Sequence, residues 1–181
     1  MSQPLLVLPE PEPIEFFVVG LPAPQGSHQA ILDKAGRPQL VDGGSKKTRR
    51  EHRRWRKAVA QVARAWLEEH PTPNLGPLDE PLEIRLMFLL PLPESDRYRS
   101  RHAVSPDLDK LCRSTLDSLT DAELVADDSR FFAIRADKSY ARPGEACGCR
   151  IRIVRRGHEE RADRELLKAA ARAARRIPVP P

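Results

Sequence analysis

Residues 82–91, LEIRLMFLLP, constrain the fold more than any other stretch. Leu82, Ile84, Leu86, Phe88 and Leu90 alternate onto one face at the strand period, and Met87 and Leu89 keep the other face largely apolar. A strand with two apolar faces needs neighbours on both sides, so the spacing predicts a central strand. The rest of the chain must supply its partners. IEFFVVG (14–20), RFFAIRADKSYA (130–141) and CRIRIV (149–154) are the β-rich runs that can, the last two joined by the turn RPGEACG. Ile151 and Ile153 alternate with Arg150 and Arg152, which predicts one wet face there. AILDKAGRPQLVD reads as two short strands around Lys34-Ala35-Gly36.

Helices cover such a sheet. Residues 45–70, SKKTRREHRRWRKAVAQVARAWLEEH, carry an N-cap candidate in Ser45 and a buried stripe of Trp55, Val59, Val62, Ala63 and Trp66 at helical spacing. Pro71 and Pro73 end it. Residues 158–177, HEERADRELLKAAARAARRI, are amphipathic, alanine-rich and basic, with PVPP as the stop. The 18 prolines gather at the ends and in connections, so the packed unit is shorter than the 181-residue chain. Residues 1–13 read as a flexible Pro-rich tail, 14–155 as one domain, and 156–181 as a C-terminal basic helix and tail.

Three cysteines, Cys112, Cys147 and Cys149, lack disulfide or zinc spacing and read as free thiols in a reducing compartment. The start has no basic n-region followed by a long apolar run, and no run reaches the length of a membrane span. The chain therefore reads as cytoplasmic, without a membrane partner.

Charge is unevenly spread. Residues 105–128, SPDLDKLCRSTLDSLTDAELVADD, hold seven carboxylates against two cations. The whole chain has 31 Lys+Arg and 26 Asp+Glu, so everything outside that block sums to +10. A basic surface favours polyanionic partners, nucleic acid among them. Ser105-Pro106 is a helix-start signal, with proline at the first helical position. Leu108, Leu111, Cys112, Thr115, Leu116 and Leu119 then mark a core face, and Asp109, Arg113 and Asp117 run along the opposite one. Asp127-Asp128 follows a turn at 120–123 and leads into the strand at Arg130.

Convergent carboxylates repel one another and need a cation, and oxygen-only ligands select hard Mg²⁺ or Mn²⁺. Beside a basic surface that combination points to phosphodiester chemistry. The same residues also have an ordinary structural use, since acids stabilise a helix's first turn and Asp-Asp suits a turn. Spacing alone leaves both readings open.

The run DLDKLCRSTLDSL…VADDS resembles the RusA family of Holliday-junction resolvases, which carry an Asp-x-Asp-Asn-Leu-x-Lys motif, a further helical Asp, and paired aspartates before a strand. FFVVGLPAPQGSHQ and the arginine-rich RYRSRH are similar to the family too, the former to its phage and actinobacterial members. The resemblance implies an α/β (α+β) fold, one RusA-like domain with a mixed β-sheet and packed helices. It implies that Asp107, Asp109 and Asp128 bind metal, with Asp117 and Asp127 in supporting roles. Two positions depart from the pattern: Lys110 replaces the usual Asn, and Arg113 replaces the usual catalytic Lys. Arg113 can stabilise a transition-state phosphate as a fixed cation, but it is a poor proton donor.

The implied activity is Mg²⁺-dependent nicking of branched DNA, with the four-way junction as substrate and a bacterium or phage as source. A two-fold symmetric junction is matched by a C2 homodimer. Lys46, Lys47, Arg49, Arg50 and Arg53 at the start of the first helix, and Arg97, Arg99 and Arg101 before the acidic motif, are the candidate DNA contacts. Cations at a helix N-terminus oppose the macrodipole, so they are not there for helix stability. Two alternatives stand beside this reading. One is a branched-DNA-binding module of the same fold impaired in catalysis, favoured by Arg113. The other is an Asp-x-Asp nucleotidyl- or phosphoryl-transferase, which Gly43-Gly44 without a phosphate-loop pattern does not favour.

Overall fold

The computed structural model describes residues 12–26, 28–32, 34–42, 45–71, 76–92 and 102–156. The C-terminal helix expected at 158–177 and all but the last two residues of the N-terminal tail lie outside them. The strands are β1 (Ile14–Val19), β2 (His28–Leu32), β3 (Pro38–Asp42), β4 (Leu82–Leu90), β5 (Phe131–Tyr140) and β6 (Gly148–Arg155). The helices are α1 (Lys46–Glu69) and α2 (Leu108–Asp121). The expected hairpin forms, with β2 and β3 paired antiparallel as a separate two-stranded sheet.

The main sheet has the order β1-β6-β4-β5, so β4 is central, as its apolar pattern requires. Strands β5 and β6 are consecutive in sequence but do not pair with each other. They flank β4, with β5 parallel and β6 antiparallel to it. The parallel pairing of β4 and β5 needs a crossover, and α2 supplies it. Register then builds the core in rows: Ile14–Ile153–Ile84, Phe16–Ile151–Leu86 and Val18–Cys149–Phe88. Except for half-buried Phe16, these side chains are buried. The other face of β6 is wet, as the alternation predicts, with Arg150 and Arg152 exposed. Arg85 of β4 is exposed on that face as well, beside half-buried Met87 and Leu89.

Helix α1 is capped as its sequence predicts, since the Thr48 backbone N–H donates to Ser45 Oγ at 3.1 Å. Its buried stripe is Trp55, Val59, Ala60 and Ala63, while Val62 and Trp66 are only half-buried. Helices α1 and α2 pack together through a hydrogen bond from the buried Trp55 indole N–H to Thr115 Oγ1, at 3.2 Å. Thr115 Oγ1 in turn donates to the Leu111 carbonyl at 2.9 Å. Beyond α2, Glu123 takes a left-handed conformation at φ 60°. The Glu123 and Leu124 N–H groups bond back to the Thr120 and Leu119 carbonyls, which is a Schellman termination with Glu in the usual glycine position. It turns the chain so that Leu124 and Val125 are buried and Val125 bridges to Leu78. The three cysteines are free, with Cys112 and Cys149 in the core.

The Trp55–Thr115 contact yields a test. Thr115→Val is nearly isosteric but leaves a buried indole N–H without an acceptor, which costs about 1–3 kcal/mol. Urea unfolding should show that loss. An unchanged midpoint would mean the hydrogen bond contributes nothing net.

Candidate active site

Two long-range contacts fix the start of α2. Lys138, at the end of the row Val18–Cys149–Phe88–Lys138, donates from Nζ to the Val104 and Pro106 carbonyls, both at 2.6 Å. The loop after β1 closes over the first turn, with the Gln25 N–H donating to the Lys110 carbonyl at 3.1 Å. With the Val104 and Pro106 carbonyls held by Lys138, Ser105 and Pro106 belong to the turn before the helix. The expected cap at Ser105 and first helical residue at Pro106 are therefore corrected: Asp107 is the N-cap and Leu108 the first helical residue.

Asp107 makes no side-chain capping bond. Its carboxylate instead pairs with Lys110 Nζ at 2.8 Å, which holds its pKa below the ordinary value. Asp109 stands exposed in the first turn. Arg113, one turn on, is also exposed and lies between Asp109 and Asp117.

The second acidic group is delivered by the chain after α2. Leu78 pins that chain: its N–H bonds to the Leu124 carbonyl, and its own carbonyl accepts from the Ala126 N–H, both at 3.0 Å. Asp127 and Asp128 then open a short 3₁₀ turn, Asp128–Arg130, and β5 begins at Phe131 rather than at Arg130 as the sequence suggested. The two aspartates have different surroundings. Asp127 Oδ1 accepts from the Ser129 N–H at 2.9 Å, and hydrogen bonding to the Ser129 side chain, then to this N–H, lowers the Asp127 pKa. Asp128 is exposed and lies within electrostatic reach of Asp117.

Asp117 is the strained member of the group. Burial raises its pKa first, and Arg56 opposes that; Asp128 and Asp121 raise it further, while Arg113 also opposes. Arg56 approaches Asp117 at 4.0 Å and binds Asp121, with Nε to Oδ2 at 3.1 Å. Arg64 adds a bond to the Asp121 carbonyl at 2.6 Å.

Eight residues of helix separate Asp109 from Asp117, about 12 Å along the axis. The acids therefore fall into two groups, Asp107 and Asp109 around Lys110 at the start of the helix and Asp117 with Asp128 toward its far end, and Arg113 stands between them. No group of three metal-ligating side chains forms among the described residues. The donors are all oxygens, which suits a hard cation. Mg²⁺ commonly takes only one or two carboxylates, completed by water and substrate phosphates, so pairs of this kind fit its demands.

Of the candidate DNA contacts, Lys46, Lys47, Arg49, Arg50 and Arg53 are exposed on the first turns of α1. Thr48 and Glu51 from the same turns line a cavity together with Ser105 and Pro106, so the basic start of α1 borders the acidic start of α2. Arg97, Arg99 and Arg101 lie outside the described residues. The sequence reading weighed Arg56 only as one more cation on α1 and did not foresee that it holds the far end of α2, and it did not single out Lys138, which shapes the start of α2. Neither carries a local signal, because each partner is dozens of residues away.

The burial of Asp117 has a pH consequence. Its carboxyl ionises less readily folded than unfolded, so stability falls as pH rises from the ordinary carboxylate value through the raised one. Above both values the cost is fully present. Asp117→Asn, in metal-free buffer, should therefore melt a few degrees above wild type at neutral pH, and the gap should close as the pH drops below the carboxylate range. A gap independent of pH would assign the effect to something other than ionisation.

Among the described residues no helix is long and apolar enough to cross a membrane. A comparison with curated proteins finds no match. The sequence does match a family, described as "Endodeoxyribonuclease RusA", over residues 23–153, a span running from the loop after β1 into β6 and containing both aspartate pairs. On that match the chain belongs to the RusA family of endodeoxyribonucleases.

Proposed function

We propose that this nuclease resolves four-way DNA junctions by paired nicks, acting as a homodimer with Mg²⁺ (or Mn²⁺) as its cofactor. The observation that carries the reading is the acidic face of α2, with exposed Asp109, Arg113 and nearby Asp128, beside the basic start of α1. Asp107, Asp109 and Asp128 would be the metal ligands, Asp107 and Asp109 at one end of the helix face and Asp128 at the other, each end completed by water and substrate phosphate, and Asp117 and Asp127 would support them. When bound, the metal supplies a nucleophilic hydroxide and neutralises charge developing on the phosphate.

The chain's own residues do the rest. Lys46, Lys47, Arg49, Arg50 and Arg53 bind backbone phosphates and bring a strand to the acidic helix. Arg113 holds the scissile phosphate with a forked, permanently charged guanidinium. Lys110 neutralises Asp107 through an exposed, weak pairing, which would leave the carboxylate available to a hard cation.

Strand β5 supports the dimer. It lies at the sheet edge, and Phe132 and Ile134 there are 61% and 47% exposed. Exposed apolar edges are surfaces for pairing with another chain. A symmetric pair of sites then matches a symmetric junction.

Asp109→Asn and Asp128→Asn should each lower junction cleavage by about a hundredfold or more while leaving the melt and the gel shift in EDTA near wild type. A stable variant that still cuts at the wild-type rate would remove that aspartate from the site. Arg113 favours a second reading, a junction-binding module impaired in cleavage. Wild-type protein that binds junctions but does not nick them in Mg²⁺ would select that reading, and Arg113→Lys should then restore nicking.

A further inference from the structure

Beside the start of α2 lies a cavity of about 440 Å³ that the chemistry above does not use. Its apolar wall comes from Leu21, Pro22 and Pro24 on the loop after β1, and from Leu90 and Pro91 at the end of β4. His102 and Tyr140 also line it, their rings 4.8 Å apart and tilted by 46°. His102 is only 7% exposed. Among the described residues His102 Nδ1 and the Tyr140 hydroxyl are buried and have no hydrogen-bond partner. Leaving such atoms unpaired costs free energy, and native structures rarely do so without a ligand or water to receive them.

The lining selects the ligand's chemistry. Burial, and then the Lys138 charge, hold the His102 pKa below its ordinary value against two backbone hydrogen bonds that raise it, which favours the uncharged ring. It offers hydrogen bonds without a charge. Glu51 on the α1 side and the Lys138 ammonium beside Val104 and Pro106 offset each other, so the lining has no net charge that would select an ion. Flat apolar walls, two aromatic rings and a pair of neutral polar atoms suit a planar heterocycle with a hydrogen-bonding edge.

The location selects its source. Ser105 and Pro106 line the cavity, and Asp107 follows directly. Thr48 lines it from within the basic start of α1. A nucleotide whose backbone spans those cations and carboxylates has its base beside this opening. A base costs least to take out of the stack where it is mismatched or already single-stranded. We propose that the cavity takes an unpaired nucleobase next to the scissile phosphate, and that His102 and Tyr140 hydrogen-bond its edge. This rests on the junction-nuclease reading and adds a residue-level account of base preference to it.

The test is an abasic scan of the nucleotides flanking the branch, read by gel shift of the full chain in EDTA. For wild type, removing the base at one position should weaken binding about tenfold, the scale of one stacked base. Val104→Trp fills the cavity from an exposed rim position, so that sensitivity should vanish. Tyr140→Phe removes one polar atom and should lower the preference among bases at that position several-fold, with the melt unchanged. Wild type that binds junctions equally with and without each flanking base overturns the inference and leaves the nuclease reading intact. So does position-specific sensitivity that persists in a folded Val104→Trp. Wild type that binds no junction at all overturns the nuclease reading itself, and this inference with it.

Discussion

The buried hydrogen bond from the Trp55 indole to Thr115 Oγ1 sets the relation between the two helices on which the site depends. An indole buried on one helix must find an acceptor, and the acceptor lies on the middle of the other. Thr115 is fixed in turn by its own bond to the Leu111 carbonyl. One face of α2 is thereby committed to the core. Its opposite face, with Asp109, Arg113 and Asp117, is left toward water. The same contact sets the basic first turns of α1 beside the start of α2.

The acidic block of a basic chain is thus divided among distinct tasks. Asp121 is structural, tying α2 to Arg56. Asp127 caps the turn before β5. Asp107, Asp109 and Asp128 are exposed at the two ends of the helix face. Asp117, drawn partly into the protein, carries the cost of burial and of two neighbouring carboxylates. Burial is the larger cause, and the like charges of Asp128 and Asp121 add to it.

The sheet contributes to the site through its end rather than its middle. Lys138 continues the core row that includes Val18, Cys149 and Phe88, and its ammonium reaches past the sheet to two carbonyls of the segment before α2. That segment in turn lines the cavity between the helices' first turns. A cation on β5 thereby shapes both the entry to the acidic helix and the proposed base pocket.

Local order was legible in the sequence. The apolar alternation of residues 82–90 predicted a central strand, Ser45 predicted the cap of α1, and Lys34-Ala35-Gly36 predicted the hairpin turn. The periodicity of Leu111, Leu116 and Leu119 identified the core face of α2, and the aspartate spacing identified its family. These features depend on backbone preference and on burial of one face, which a short window of residues encodes. Tertiary structure decided the rest. The Ser105-Pro106 signal was overridden because Lys138 holds the carbonyls around it. Strands β5 and β6, consecutive in sequence, were placed on either side of β4, one parallel and one antiparallel to it. Aspartates that read alike in sequence were divided into a cap, an ion-pair partner, a half-buried acid and exposed candidate ligands. His102 and Tyr140 carry no sequence pattern that joins them, yet they meet beside the site. Each of these outcomes depends on which distant groups a side chain meets, and chain topology, not local spacing, determines that.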